Sequence, residues 1–166
     1  MEEEPNTPIR IITCCERGDL VGLQQLCTDH ADLAFTDRDG FSPLLTAIYN
    51  YQNHIVHFLL MQPSLDIERV SNRYKSNALH VAAYKRNLDA LYLVLQHCKK
   101  NNLLEKLVNQ PDKWGKTPLH HVVYHGFTEG IRLLLDQKEV DRQIKDYNHK
   151  VPMDYIRCEL DATLFL

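Results

Sequence analysis

The chain has 166 residues, of which 44% are apolar and 25% charged, and a net charge of −3. That length suits one domain with its own buried core, and that composition is the ordinary globular one. The slight acidic balance speaks against a generic nucleic-acid or anionic-membrane binder, which needs a basic stripe, and no apolar run approaches the length of a membrane span.

The start, Met1-Glu2-Glu3-Glu4-Pro5, lacks the basic-then-apolar plan of a signal peptide, and residues 1–8 read as a charged lead-in. The five cysteines, Cys14, Cys15, Cys27, Cys98 and Cys158, are odd in number and form no CxxC pair. Reduced thiols in an intracellular, cytoplasmic setting follow from that, while export by a route without a cleaved signal stays open.

The first helix is expected over about Ile9–Arg17 and the second over about Leu20–Thr28. Thr7-Pro8 resembles a helix start, but counting back from Gly18 by the spacing between Thr117 and Gly126 reaches Ile9, which places Thr7-Pro8 just outside. Ile11, Cys14 and Cys15 fall on one core face, and Leu20, Leu23 and Leu26 on the next. The run Asp37-Arg38-Asp39-Gly40-Phe41-Ser42-Pro43-Leu44 then combines turn residues with a helix start: Ser as cap and Pro at the first helical position. Leu44, Ala47 and Ile48 form an apolar stripe, Ile55, Val56, Leu59 and Leu60 another, and Pro63 ends the helix.

A worn copy of the turn runs Asn72-Arg73-Tyr74-Lys75-Ser76-Asn77-Ala78-Leu79-His80, with Asn77 able to cap, and Leu88, Leu91, Leu93, Val94 and Leu95 follow on a second helix. The clearest copy is Asp112-Lys113-Trp114-Gly115-Lys116-Thr117-Pro118-Leu119-His120. Thr117 is placed to cap and His120 to bond back toward the turn. Its helices are expected at Pro118–His125 and Thr128–Gln137. A last copy begins at Asp146 and keeps Pro152-Met153. The caps Ser42, Asn77, Thr117 and Val151 are 35, 40 and 34 apart, so an insertion lies within 96–110. Leu103, Leu104, Leu107 and Val108 suggest that it adds a helical turn packed on the edge rather than a partner-specific protrusion.

Turn-plus-helix starts recurring at this period mark a repeat array. With Thr117-Pro118-Leu119-His120 and its copies, the chain resembles the ankyrin repeats, whose signature is a Thr-Pro-Leu-His run in units of about 33 residues. The resemblance implies an all-α solenoid of stacked helix-turn-helix units with β-turn or hairpin tips. Four full units (9–36, 37–71, 72–111 and 112–145) and a partial fifth (146–166) are expected. The apolar tail Ala162–Leu166 either caps the last interface or marks a chain cut from a longer protein. Tyr51 departs from the family's usual glycine between the two helices, which leaves the tightness of that turn open.

In this family partners contact the turn tips and the exposed side of the first helix. The positions seven and eight after each cap are Tyr49 and Asn50, Tyr84 and Lys85, and Tyr124 and His125, with Glu16 and Arg17 in the first unit. The tips add Arg38, Asp39, Arg73, Tyr74, Lys113, Trp114, Tyr147 and Asn148, flanked by Phe41 and Lys116. Tyr, Trp and Arg are the residues enriched in binding hot spots. Tyrosines packing between units to stiffen the array is the competing reading, and the column taken with Trp114 and Tyr74 favours a binding surface. The basic residues in the set suggest a partner with acidic groups near aromatic or apolar ones.

His121 and His125 lie one turn apart, a spacing that can hold a metal. With no HExxH motif and no Cys/Asp cluster they read as a core-edge and a surface histidine, His120 as structural, and His54 and His57 as surface residues. Cys14-Cys15 reads as small buried positions rather than a nucleophile. No cofactor is implied. The reading is a non-enzymatic protein-interaction module, monomeric on its own. The second is the targeting or scaffold region of a larger protein, including effectors that intracellular bacteria deliver to host cytosol. The third, a standalone enzyme or metal protein, rests on the histidine spacing alone.

Overall fold

A computed structural model of the protein describes residues 7–27 and 33–156. The apolar tail Ala162–Leu166, Cys158 and the first six residues lie outside them. Nine α-helices occur among the described residues: α1 (Thr7–Arg17), α2 (Leu20–Leu26), α3 (Pro43–Tyr49), α4 (Asn53–Leu60), α5 (Ala78–Lys85), α6 (Leu88–Lys100), α7 (Leu104–Val108), α8 (Pro118–Tyr124) and α9 (Thr128–Leu135). A 3-10 turn covers Pro152–Tyr155, and no strand occurs among the described residues.

Helix α1 packs on α3, α3 on α5, α5 on α8, and α8 on the 3-10 turn, which makes an inner row. The second helices form an outer row, with α4 on α6 and α6 on α9. Each pair therefore buries its apolar stripe against its neighbours, as a stacked solenoid requires. Ile11, Cys15, Leu44, Ile48, Leu79, Leu91, Leu119 and Ile131 lie along one continuous core.

Four expected boundaries move: α8 ends at Tyr124 rather than His125, α9 at Leu135 rather than Gln137, and two shift in the first unit. Thr7 and Pro8 lie inside α1, because proline in a first turn gives up no helical hydrogen bond. Counting back from Gly18 therefore misses a helix that runs two residues longer. Helix α2 ends at Leu26, short of Thr28, which is outside the described residues.

The turn between paired helices stays tight in the first four units. Its residue takes positive φ whether it is Gly18 (77°), Tyr51 (59°), Arg86 (55°) or Gly126 (57°). Tyrosine and arginine meet a steric cost there that glycine avoids. Both lean on the next unit: the Tyr51 hydroxyl donates to the Lys85 carbonyl, and the Arg86 guanidinium lies 5.9 Å from the Phe127 ring centroid.

The tips are hydrogen-bonded turns linked in series. Asp37, Asp112 and Asp146 each accept two backbone N–H groups at Oδ1, from Asp39 and Phe41, Trp114 and Lys116, and Asn148 and Lys150. In the worn copy Ser71 takes this role, its Oγ accepting from the Ser76 N–H, and the turn is one residue wider. Each tip donates to the one before: Asn72 N–H to Gly40 O, Lys113 N–H to Tyr74 O, and Tyr147 N–H to Trp114 O.

Gly40 sits at that seam with φ of 82°, and a Cβ there would lie 2.6 Å from the Asn72 backbone nitrogen. Gly40→Ala is expected to cost about 1–3 kcal/mol. A urea titration checks it, and a midpoint equal to wild type would show that the seam yields freely.

The signature histidines join units as well. The His80 ring accepts from Asn77 N–H at Nδ1 and donates from Nε2 to Lys116 O at 2.9 Å. His120 repeats this with Thr117 N–H and Lys150 O. The Thr117 hydroxyl lies against His120 Nδ1 at 2.9 Å, so the ring carries the bond to the backbone.

The insertion packs against the array. Helix α6 runs on to Lys100, and α7 buries Leu104, Leu107 and Val108. Asn77 Nδ2 donates to Leu107 O and Gln110 Oε1, while Asn109 donates to Glu139 O and accepts from Asp141 N–H. The segment is thus bonded to the units on both sides.

Candidate partner-binding face

The seventh residue after each cap emerges at the end of the inner helix, beyond the stripe that faces the core. Tyr49, Tyr84 and Tyr124 are accordingly 40%, 51% and 37% exposed, and Asn50, Lys85 and His125 beside them are half-buried. The tyrosines do not stack directly as a ladder. Tyr84 and Tyr124 each meet the His125 ring edge-on at 5.1 Å, while Tyr49 meets Phe41 at 5.6 Å. Tyr84 therefore packs against the next unit and still shows half of its surface.

At the tips, Tyr74 and Trp114 stack with centroids 5.9 Å apart and planes 24° apart. Lys113 Nζ lies 4.3 Å from both rings, and the Arg73 guanidinium 5.4 Å from Tyr74. Lys85 Nζ lies 4.0 Å from Tyr49, and Lys116 Nζ 4.5 Å from Tyr124. These cations rest on ring faces, which fixes both partners. Trp114 remains 45% exposed and Tyr147 stands out further along the same edge. Arg38 and Asn148 occupy neighbouring tips, and Arg17 is exposed at the end of α1.

Between tips and inner helices runs a groove of about 510 Å³. Glu16, Asp37 and Asp39 line its first-unit end, Tyr49, Tyr74, Tyr84 and Trp114 its flanks, and His80 and His121 its floor. His121 is buried, and its Nε2 lies 2.8 Å from Asp112 Oδ2. Burial alone would raise the Asp112 carboxyl, but hydrogen bonds from His121 and from the Trp114 and Lys116 N–H groups hold it below the usual carboxylate range. Burial pushes His80 and His120 down, disfavouring the charged form of both rings.

His121 and His125 stack at 6.3 Å, with His121 engaged by Asp112. Among the described residues no three His, Cys, Asp or Glu side chains gather as metal ligands would. His54 and His57 are exposed, and His54 Nε2 donates to Gly18 O. Cys14, Cys15 and Cys98 are buried thiols, Cys27 is half-buried, and burial raises all four, the opposite of an activated nucleophile.

Two contributors escape a reading of the face from cap spacing alone. Tyr155 meets Tyr124 at 5.7 Å and donates from its hydroxyl to Asp146 Oδ2 at 2.5 Å. Thr46 lines the groove from α3. Tyr92 and Leu88 lie exposed on α6, on the outer row, away from this face. A signal for the first two exists. Asp112 reaches the side chain nine residues on, His121, and Asp146 likewise reaches Tyr155; nine residues after Asp37 is Thr46.

Two rows of stacked helices, joined through tips and bridging histidines, define a repeat solenoid. The chain belongs to the ankyrin repeat family: the model of ankyrin repeats in three copies matches residues 11–103, and the single ankyrin repeat matches 114–147. It is similar to human Rabankyrin-5, at 28% identity over 137 residues, 81% of this chain. The matched stretch is 11% of that protein's length, so the chain spans a small part of the relative it resembles. Ankyrin repeats are in general protein-interaction modules and typically non-catalytic. Among the described residues no helix is long and apolar enough to cross a membrane.

Proposed function

We propose that the chain is a non-enzymatic recognition module that docks a partner protein or peptide on its concave face and turn tips. The observation that carries this is the run of part-exposed aromatics, Tyr49, Tyr74, Tyr84 and Trp114, bordering one groove, with Tyr124 exposed on the next inner helix. Rigid aromatic bodies bury much area at small entropic cost, and central aromatics are the usual anchors of an interface. A standard interface takes about 800 Å² from each side, which a face shared by four units supplies. Buried, non-activated thiols suit a reducing intracellular compartment.

Capture from cell lysate with the wild-type chain and with Tyr84→Ala/Tyr124→Ala as baits tests the face. Both tyrosines are exposed, so the double variant should fold, and loss of two anchors should weaken binding by about a hundredfold. Equal capture by both folded baits would move recognition to the outer row. The small share of Rabankyrin-5 matched favours a second reading, in which this module targets or scaffolds a larger protein whose activity lies elsewhere.

A further inference from the structure

At two tips the carboxylate meets a side chain nine residues later. Asp112 Oδ2 is bonded by His121 Nε2, and Asp146 Oδ2 by the Tyr155 hydroxyl. In the second unit that position is Thr46, too short to complete the pair. Asp37 spends Oδ1 on its own turn, and its Oδ2 takes no hydrogen bond among the described residues. Thr46 is 4% exposed, and its buried hydroxyl has no hydrogen-bond partner among the described residues. A buried hydroxyl left unmatched is costly. Both residues line the groove, as do Glu16, Asp39 and Tyr49. Among the described residues no cationic side chain pairs with these three carboxylates.

We propose that this end of the groove is a subsite for a cationic side chain, lysine or arginine, from an extended segment of the partner protein. The cation's N–H groups donate to the Asp37 carboxylate and the Thr46 hydroxyl, as His121 does to Asp112, with Glu16 and Asp39 adding charge and Tyr49 an aromatic wall. Farther along, Arg73, Lys85, Lys113 and Lys116 make the face basic, so the groove has a polarity. A segment with its cation at the first-unit end and its acidic groups toward the third and fourth units matches it, and the reverse orientation sets like charges against each other. This inference rests on the concave face being the docking surface.

A phage-displayed library of random peptides, selected on the full chain, tests it. The expected result is enrichment of peptides sharing one basic residue at a fixed position, with binding at least about tenfold weaker to Glu16→Gln/Asp39→Asn, whose changes lie on exposed side chains. Thr46→His provides the missing internal partner and should block the same peptides without lowering the melting temperature. Should that variant misfold, Thr46→Val removes the hydroxyl alone, and its affinity should fall severalfold while stability holds or rises. Enriched peptides that lose binding to Tyr84→Ala/Tyr124→Ala but carry no fixed basic residue, or ignore the Glu16 and Asp39 changes, would overturn the subsite and leave the docking face standing. Peptides indifferent to the tyrosine pair, or no enrichment at all, would overturn both.

Discussion

Asp112→Ala is expected to destabilise the fold by about 3–5 kcal/mol, among the largest effects of any single polar substitution. The carboxylate is buried and serves three groups: Trp114 N–H and Lys116 N–H at Oδ1, and His121 at Oδ2. Alanine leaves a buried imidazole and two turn N–H groups without their acceptor, in a tip that also donates to the one before it. The same network makes stability depend on pH. His80 and His120 have lowered folded pKa values, so their contribution is complete above the unfolded value near 6.5 and declines as pH falls from there. Asp112, also lowered, contributes above the ordinary carboxylate value, and its share goes at lower pH still. Denaturant titrations of wild type and Asp112→Ala across acid pH should show the wild-type advantage shrinking in the carboxylate range. A gap that stays constant down to pH 2 would contradict the network's electrostatic role.

Leu91→Ala is expected to cost about 2–5 kcal/mol through lost burial and the cavity left behind. Leu91 is fully buried on α6, the outer helix of the third unit, which packs on α4 before it and α9 after it. In a solenoid, stability sums unit and interface terms, so damage in a central unit weakens both adjoining interfaces. Urea unfolding of the variant should broaden or split into two steps as the flanking pairs uncouple. A single transition with the wild-type slope and midpoint would show that the core relaxes around the cavity.

The repeat was legible because its residues are fixed by local geometry. A Thr-Pro-Leu-His start fits only a capped helix, and the apolar spacings in α3, α4 and α8 allow only one buried face. The helix start at Thr7 was not, because a proline in the first turn is equally at home just outside a helix. Tyr51 shows the opposite case: a departure from glycine suggested a looser turn, yet the backbone keeps φ of 59°. What holds it is a bond to Lys85, thirty-four residues away in sequence. The exposed column was readable from cap spacing. Its neighbours were not: Tyr84 with His125, Tyr74 with Trp114, and each lysine over a ring depend on how units rotate against one another. The pairing of a tip aspartate with a side chain nine residues later was present in the sequence, but only the bonded geometry of Asp112–His121 and Asp146–Tyr155 makes the unmatched Thr46 visible.

Trp114 is the chain's single tryptophan and stands on the proposed docking face. Acrylamide quenching of its fluorescence, with and without a saturating captured partner that lacks tryptophan, reports directly on what covers that face. Partner binding at the concave face should shield the indole, reduce quenching and shift its emission to the blue. Unchanged quenching and emission at saturation would place the partner elsewhere and contradict the concave face as the binding surface.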